Sequence, residues 1–193
     1  MWGDDVVTMV GVTGHRFLAE LDKVTAGVDR ALDQIQDAFG EQPLTVVSAL
    51  AEGADRLVAH RVLARSEGEL IAVLPLPECD YMPDFESSES REEFLSLLAQ
   101  AERVIMLPPA STREEAYAAA GHRALDDCDV LLAVWDGEKP QGPGGTAEIV
   151  AEARRRGLPL AWVRAGNRKP ETHEPVSLCN EQGLVAFERL PTA

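Results

Sequence analysis

The chain has 193 residues, of which 45% are hydrophobic and 26% charged, and its formal net charge is −15. This length and apolar content are ordinary for one soluble globular domain with a buried core. The acidic balance repels phosphate backbones, so we expect no general binding to nucleic acid. The sequence has no run of about 18 apolar residues and therefore predicts no membrane span.

The cysteines, the histidines and the N-terminus bear on compartment and metal binding. Three cysteines lie far apart without CxxC spacing, which favours free thiols over a disulfide or zinc framework. The four histidines are equally scattered, so we expect no metal and no resident cofactor. The first residues, MWGDDVV, are acidic and lack the regions of a signal peptide, which predicts a cytoplasmic protein.

Short apolar runs alternate with helical patterns along the whole chain. Runs typical of buried strands occupy 6–12, 44–50, 70–76, 104–107, 130–134 and 158–164. Apolar residues at helical spacing occupy 21–39, 53–68, 90–101, 113–125 and 146–156, the third of these opening on a capping box of Ser90 and Glu93. This alternation predicts an α/β fold: a single doubly wound, Rossmann-like domain with a mostly parallel sheet of about six strands and helices on both faces.

The predicted domain covers residues 1–165. Residues 166–193 form a polar C-terminal extension, in which 184–187 is a candidate edge strand. In sheets of this kind, ligands bind beyond the carboxyl ends of the strands, near the point where strand order reverses. Three loops at such strand ends carry unusual chemistry.

The first loop is Gly14-His15-Arg16, directly after the first strand. Its glycine permits a sharp turn and close approach of the backbone, and Arg16 is suited to grip a phosphate. The alternative interpretation is a turn glycine followed by an exposed arginine.

The second loop reads SALAEGADR, from Ser48 to Arg56. Ser48, Gly53 and Asp55 are candidates to hold a sugar hydroxyl or a phosphate at the start of a helix. The alternative is a capped, closely packed turn in which the helix dipole stabilises the negative charge of Asp55.

The third loop ends in Gly144-Gly145-Thr146, where a helix is predicted to start. A glycine turn before a helix N-terminus predicts an anion cradle, since free N–H groups and the helix dipole both favour negative charge. Glu148 and Asp136 are the candidate catalytic carboxylates, with Glu148 as general base or as acceptor of ribose hydroxyls. The alternative role of Glu148 is compensation of the helix dipole.

The polar stretch 78–89 is predicted to be a loop. It is a candidate lid over the pocket, with Tyr81 or Phe85 stacking on a base and Asp84 between them. A surface loop with its aromatic side chains tucked in is an equal alternative. The sequence contains no GxGxxG run after the first strand, no GxxxxGK[ST] phosphate loop and no GxSxG elbow.

Together these stretches resemble the SLOG superfamily, which joins the DNA-processing-protein-A Rossmann domain and the Lonely Guy phosphoribohydrolases. VSALAEGADRLVAHRVL and IAVLPLPECDYMPDF are similar to the former, and CDVLLAVWDGEKPQGPGGTAEIV is similar to the latter. The resemblance implies a nucleotide-binding domain, several superfamily members being sensors of signalling nucleotides. Where the Lonely Guy proteins have an Arg-Lys pair, this chain has Ala120 and Gly121, which favours binding over hydrolysis.

Three functional hypotheses follow. The favoured one is binding of a nucleotide or nucleotide-derived small molecule, for sensing or regulation. The second is an enzyme, an N-glycoside hydrolase acting on a nucleoside 5′-monophosphate. The third is a homo-oligomeric protein-interaction module with a vestigial pocket, which would gain support if the strand-end loops were blocked by their own side chains. A homodimer or higher homo-oligomer is expected under all three.

Overall fold

Seven strands of the described residues form one sheet. The structure is a computed structural model and describes residues 7–138, 145–170, 172–176 and 181–191. The strands are β1 (Thr8–Gly14), β2 (Leu44–Ser48), β3 (Glu69–Leu74), β4 (Arg103–Met106), β5 (Val130–Trp135), β6 (Leu160–Arg164) and β7 (Val185–Glu188). Their order is β4-β3-β2-β1-β5-β6-β7, and only β7 is antiparallel to its neighbour. The predicted doubly wound α/β fold is confirmed.

The order of the strands reverses between β1 and β5. From β1 the chain moves outward through β2 and β3 to β4, and then returns to the other side of β1 as β5. The two strands are in register along the sheet's centre, with Gly14 beside Val134. Their carboxyl ends therefore lie side by side while the following chain segments diverge, which is where such sheets bind ligands.

Helices cover both faces of the sheet, as the alternating pattern predicts. They are α1 (Leu21–Ala38), α2 (Ala54–Leu63), α3 (Glu78–Tyr81), α4 (Ser88–Gln100), α5 (Arg113–Asp126) and α6 (Thr146–Arg156). The face under α1 and α2 holds the larger apolar core, and α5 and α6 pack on the opposite face over two smaller clusters. The apolar stripe of α1, which includes Val24, Val28 and Ile35, is fully buried.

The stretch 78–89 is not the loop that its polar composition predicts. It forms α3, a 3₁₀ turn at Met82–Asp84 and the start of α4. Its aromatic side chains pack against Phe94 of α4, with the rings of Tyr81 and Phe94 5.7 Å apart. Burial of these rings gives the segment a core of its own, which outweighs its polar composition.

The predicted capping box at Ser90 is also wrong. Helix α4 begins earlier, and the hydroxyl of Ser87 accepts the Ser90 N–H at 3.1 Å as its N-cap. Ser90 and Glu93 instead accept hydrogen bonds from the buried guanidinium of Arg56, which stacks 4.3 Å from the ring centroid of Phe85. The two residues of the predicted capping box therefore bind the buried guanidinium of Arg56 rather than the backbone at the start of α4.

The segment after residue 165 joins the same sheet. Strand β7 pairs with β6 close to the range of the candidate edge strand, and Asn167 bridges back to Leu18 after β1. The division at residue 165 stays a prediction. No helix within the described ranges is both long and apolar enough to cross a membrane.

Candidate functional site

A cleft of about 490 Å³ opens at the carboxyl ends of the central strands. Its floor comes from the end of β1 and the turn after β2, and its walls come from α5, the end of β5 and the start of α6. Ligand pockets typically have volumes of roughly 300–1,000 Å³, so the cleft is large enough for a small organic molecule. The described parts of the strand-end loops line the cleft without filling it, and residues 139–144 of the third loop lie outside the described residues.

His15 ties together three segments at the rim of the cleft. Its Nε2 accepts the backbone N–H of Asp136 at 3.1 Å and lies 3.2 Å from Oδ2 of that residue. Its Nδ1 lies 3.2 Å from the side-chain amide of Asn167. Burial lowers the pKa of His15, and Asp136 opposes this shift, so the neutral ring is the form that accepts the N–H. His15 thus lines the cleft mainly as a cross-link between its loops.

Arg16 is also held by the protein. Its Nη2 donates to Oε2 of Glu52 and to the carbonyl oxygen of Asp84, both at 2.7 Å. The side chain remains 41% exposed, and Arg16 lines the cleft. The structure therefore places Arg16 at the cleft as a partly engaged cation.

Gly14 and Gly53 allow two backbone segments to touch beneath the cleft. A Cβ atom on Gly14 would overlap the carbonyl oxygen of Val134, and one on Gly53 would overlap the carbonyl oxygens of His15 and Arg16. Gly53 also has a φ of +78°, which a residue with a side chain rarely adopts. Gly14 lines the cleft, whereas Gly53 does not and supports it from behind.

Ser48 and Asp55 form a buried pair at the turn between β2 and α2. The Ser48 hydroxyl donates to Oδ2 of Asp55 at 3.1 Å and accepts the N–H of Leu50 at 3.0 Å. Ser48 is fully buried and does not line the cleft, whereas Asp55 reaches its floor. Of the predicted pair, only Asp55 is placed to contact a ligand, and Ser48 orients it.

Asp55→Asn is expected to remove a pH-dependent term from the free energy of unfolding. Burial, opposed mainly by the Ser48 hydroxyl, raises the pKa of Asp55 from 3.8 to about 6. The folded chain therefore holds this proton more tightly than the unfolded chain, so Asp55 lowers stability as pH rises from about 4 to about 6. The loss is at most about 3 kcal/mol, since one pKa unit corresponds to about 1.4 kcal/mol.

Denaturant unfolding of both proteins across this pH window checks the effect. The wild-type protein should lose stability relative to the variant as pH rises. Parallel curves for the two proteins would contradict the assigned role of Asp55.

The start of α6 faces the cleft at its other end. Gly145 is the N-cap residue, Thr146 is the first residue of the helix, and both line the cleft. The first turn of a helix has N–H groups without partners inside the helix, and its dipole is positive there. Gly144, the third residue of the predicted cradle, lies outside the described residues.

The two candidate catalytic carboxylates are not brought together. Asp136 lines the cleft, where its Oδ1 accepts the N–H of Glu138 at 3.0 Å. Glu148 does not line it, and its Oε1 lies 3.8 Å from Nε2 of His122 at the contact of α6 with α5. Of the two predicted catalytic residues, Asp136 is therefore the one that lines the cleft. The role of Glu148 stays a prediction.

The candidate lid packs against the rest of the domain. Tyr81 and Phe85 are each 3% exposed, their ring centroids are 4.9 Å apart, and only Tyr81 lines the cleft. Asp84 accepts hydrogen bonds from Arg113 and from the Tyr117 hydroxyl, which anchors the segment to α5. Of the two alternatives for this segment, tucked-in aromatic side chains describe it.

Several residues of the cleft were not predicted as site residues. Ala120, Gly121 and Ala124 of α5 line it together with Tyr117 and Asn167. Small residues one helical turn apart signal close packing, and Ala120 and Ala124 are indeed buried, at 2% and 3% exposure, while also lining the cleft. Nothing in the sequence marks Asn167, which lies 152 positions after its partner His15. Within the described ranges no group of three or more metal-ligating side chains occurs.

The fold and the cleft define a single α/β domain of the Rossmann-like class with an open pocket at its topological switch point. No family model matches the chain, and no curated protein matches it either. Among solved structures, the chain is similar to the Moco carrier protein of Chlamydomonas rheinhardtii. The two share 20% sequence identity with a TM-score of 0.43, over 80% of this chain and 74% of that chain. A likeness at this level says nothing about ligand or partner.

Proposed function

We propose that the chain binds a nucleotide or nucleotide-derived small molecule in the strand-end cleft. The observation that carries the proposal is the meeting of three features in that cleft: the N-terminus of α6, the Asp136 carboxylate and an apolar wall on α5. A nucleotide has a phosphate for the helix N-terminus, a sugar for the carboxylate and a ring for the apolar wall. The similarity of several stretches to SLOG motifs supports the same ligand class.

The phosphate is expected at the start of α6. Gly145 lacks a side chain and is exposed, so an anion can approach the backbone N–H groups of the first turn. The hydroxyl of Thr146 is a further donor at the same place. Arg16 adds positive charge at the cleft, although its pairing with Glu52 reduces the net effect.

The sugar is expected beside Asp136. A carboxylate offers about four acceptor sites, and Oδ1 of Asp136 uses one of them for the N–H of Glu138. The remaining acceptor capacity suits ribose hydroxyls. The side chain is 13% exposed, so a hydrogen bond formed here is shielded from water.

The ring is expected against α5. Ala120 and Ala124 are small residues of the cleft lining, so a flat ring can approach the helix closely, while Ile149 packs against Gly121. The floor beneath includes Asp55, an acceptor for ring N–H groups. An apolar surface with few polar groups is typical of small-molecule sites.

Calorimetry against a panel of nucleoside monophosphates, ADP-ribose and cyclic signalling nucleotides tests the proposal. At least one member is expected to bind, and Ala124→Leu, which enlarges a side chain of the cleft lining, should weaken that binding by roughly tenfold or more in protein that folds by circular dichroism. Val176→Leu, at an exposed site that does not line the cleft, is the matched control. If no member binds, or if Ala124→Leu leaves the affinity unchanged, the proposed site is wrong.

Hydrolysis of an N-glycosidic bond is the second candidate. Its support is Asp136, a carboxylate beside an imidazole inside the cleft, an arrangement suited to acid–base chemistry. Release of free base from any nucleotide that binds, measured on the same samples, separates the two functions. Turnover that is lost in Asp136→Asn would make the chain an enzyme, and bound nucleotide that stays intact would leave binding alone.

A further inference from the structure

The outer side of β4 pairs with no strand of the described chain, since β4 ends the sheet. Val104 and Met106 are 47% and 49% exposed, and register places them beside Ala72 and Leu74, on the face that carries α1 and α2. These two side chains, called the edge patch below, are exposed apolar groups at the margin of the sheet.

The opposite margin of the sheet is protected in the usual ways. Strand β7 is half-buried along its length, and its Glu188 forms an ion pair with Arg154 at 2.7 Å. Proteins commonly blunt edge strands with charges, prolines or covering segments, because unpaired backbone groups invite another strand. Within β4 the only charged residue is Arg103, at its first position, and no proline interrupts the strand.

We infer that β4 pairs with β4 of a second copy of this chain, antiparallel about a twofold axis perpendicular to the sheet. Two identical edges present identical sets of unpaired N–H and C=O groups, so one twofold contact satisfies both. This axis keeps the faces of the two sheets aligned. The edge patch of one copy therefore continues into that of the other, and both become buried.

Charge complementarity supports a second copy in this direction. Arg103 lies beside Ile71, on the sheet face that carries α5. Antiparallel pairing brings it to the far end of the partner's β4, on the sheet face that also carries the partner's α5. The first turn of α5 carries Glu114 and Glu115, both exposed. Screening within about 8 Å at physiological salt limits the general repulsion between two acidic copies.

Sedimentation velocity across a wide range of protein concentration tests this contact at physiological ionic strength. The wild-type chain is expected to form a dimer whose population rises with concentration. Val104→Lys, which places like charges at the twofold axis, should weaken the dimer by roughly tenfold or more. Val176→Lys is the matched control, since Val176 is 64% exposed and lies outside the edge patch.

A charge reversal tests the orientation. Arg103→Glu should weaken the dimer, and adding Glu114→Arg to it should restore part of the loss. Met106→Glu in β4 serves as a second probe should Val104→Lys fail to fold by circular dichroism. A chain that stays monomeric at every concentration overturns the inference, and so does a dimer that is insensitive to folded variants of the edge patch.

Discussion

Gly145→Asp is expected to abolish nucleotide binding while leaving the fold intact. Gly145 has φ −82° and ψ 166°, an extended conformation that aspartate adopts readily. Aspartate is also among the best N-cap residues, and its charge favours the helix N-terminus, so thermal unfolding should stay unchanged or rise slightly. Stability and binding therefore move in opposite directions.

The loss of affinity is expected to be roughly 100- to 1,000-fold. A phosphate at the start of α6 would lie within about 4 Å of the new carboxylate, where two unit charges in a partly screened site repel by about 4 kcal/mol. Calorimetry with the nucleotide that binds wild-type protein gives this value. Ser88→Asp is the control, because it adds the same charge to the exposed first turn of α4, away from the cleft. Equal affinities for Gly145→Asp and wild type would place the phosphate elsewhere.

Gly53→Ala is expected to lower the free energy of unfolding by roughly 2–5 kcal/mol. Part of this cost comes from the φ of +78°, and part from the overlap of a Cβ atom with the carbonyl oxygens of His15 and Arg16. Because the Ala54 N–H donates to the His15 carbonyl at 3.0 Å, relief of the overlap must also displace the His15 loop. Nucleotide affinity should therefore fall in the variant molecules that remain folded.

Gly157→Ala separates the two contributions to the loss at Gly53. Gly157 has a φ of +74°, but nothing lies within 4 Å of a Cβ atom placed there. It should therefore cost only the roughly 1–2 kcal/mol of backbone strain and leave the cleft unchanged. Denaturant unfolding of both variants checks the difference. Equal losses would mean that the contact between the loops is not as tight as the structure has it.

The sequence predicts the elements of this fold well because each depends on neighbours in the chain. Helix α6 begins at Thr146 and ends at Arg156, as the pattern predicts, and β5 follows its apolar run. Strands that alternate with helices are joined by crossover connections, and such connections place consecutive strands parallel in the sheet. The reversal of strand order between β1 and β5 then follows only from how the chain is wound, which no local pattern encodes.

The part of the cleft that depends on neighbouring residues in the chain was predicted as well. Strand-end loops with glycine are visible in a sequence, and most of those singled out line the cleft. The partner of His15 is 121 positions away, and only the sheet brings Asp136 to it. Burial of Arg56 between aromatic rings is likewise invisible locally, since an arginine beside polar residues is usually exposed. The stacking of Arg56 on Phe85 helps to hold the polar stretch 78–89 against the domain.

The return of the chain as β7 couples the stability of the C-terminal end to the shape of the cleft. The segment that carries Asn167 is supported from two sides. The N–H of Gly183 donates to the carbonyl oxygen of Arg164 at 2.8 Å beside β7, and the N–H of Ala19, after β1, donates to that of Gly166 at 3.0 Å. Edge strands are usually among the first parts of a sheet to open by local unfolding. Detachment of β7 is therefore expected to remove one of the two supports of the amide beside His15 and to loosen that side of the cleft.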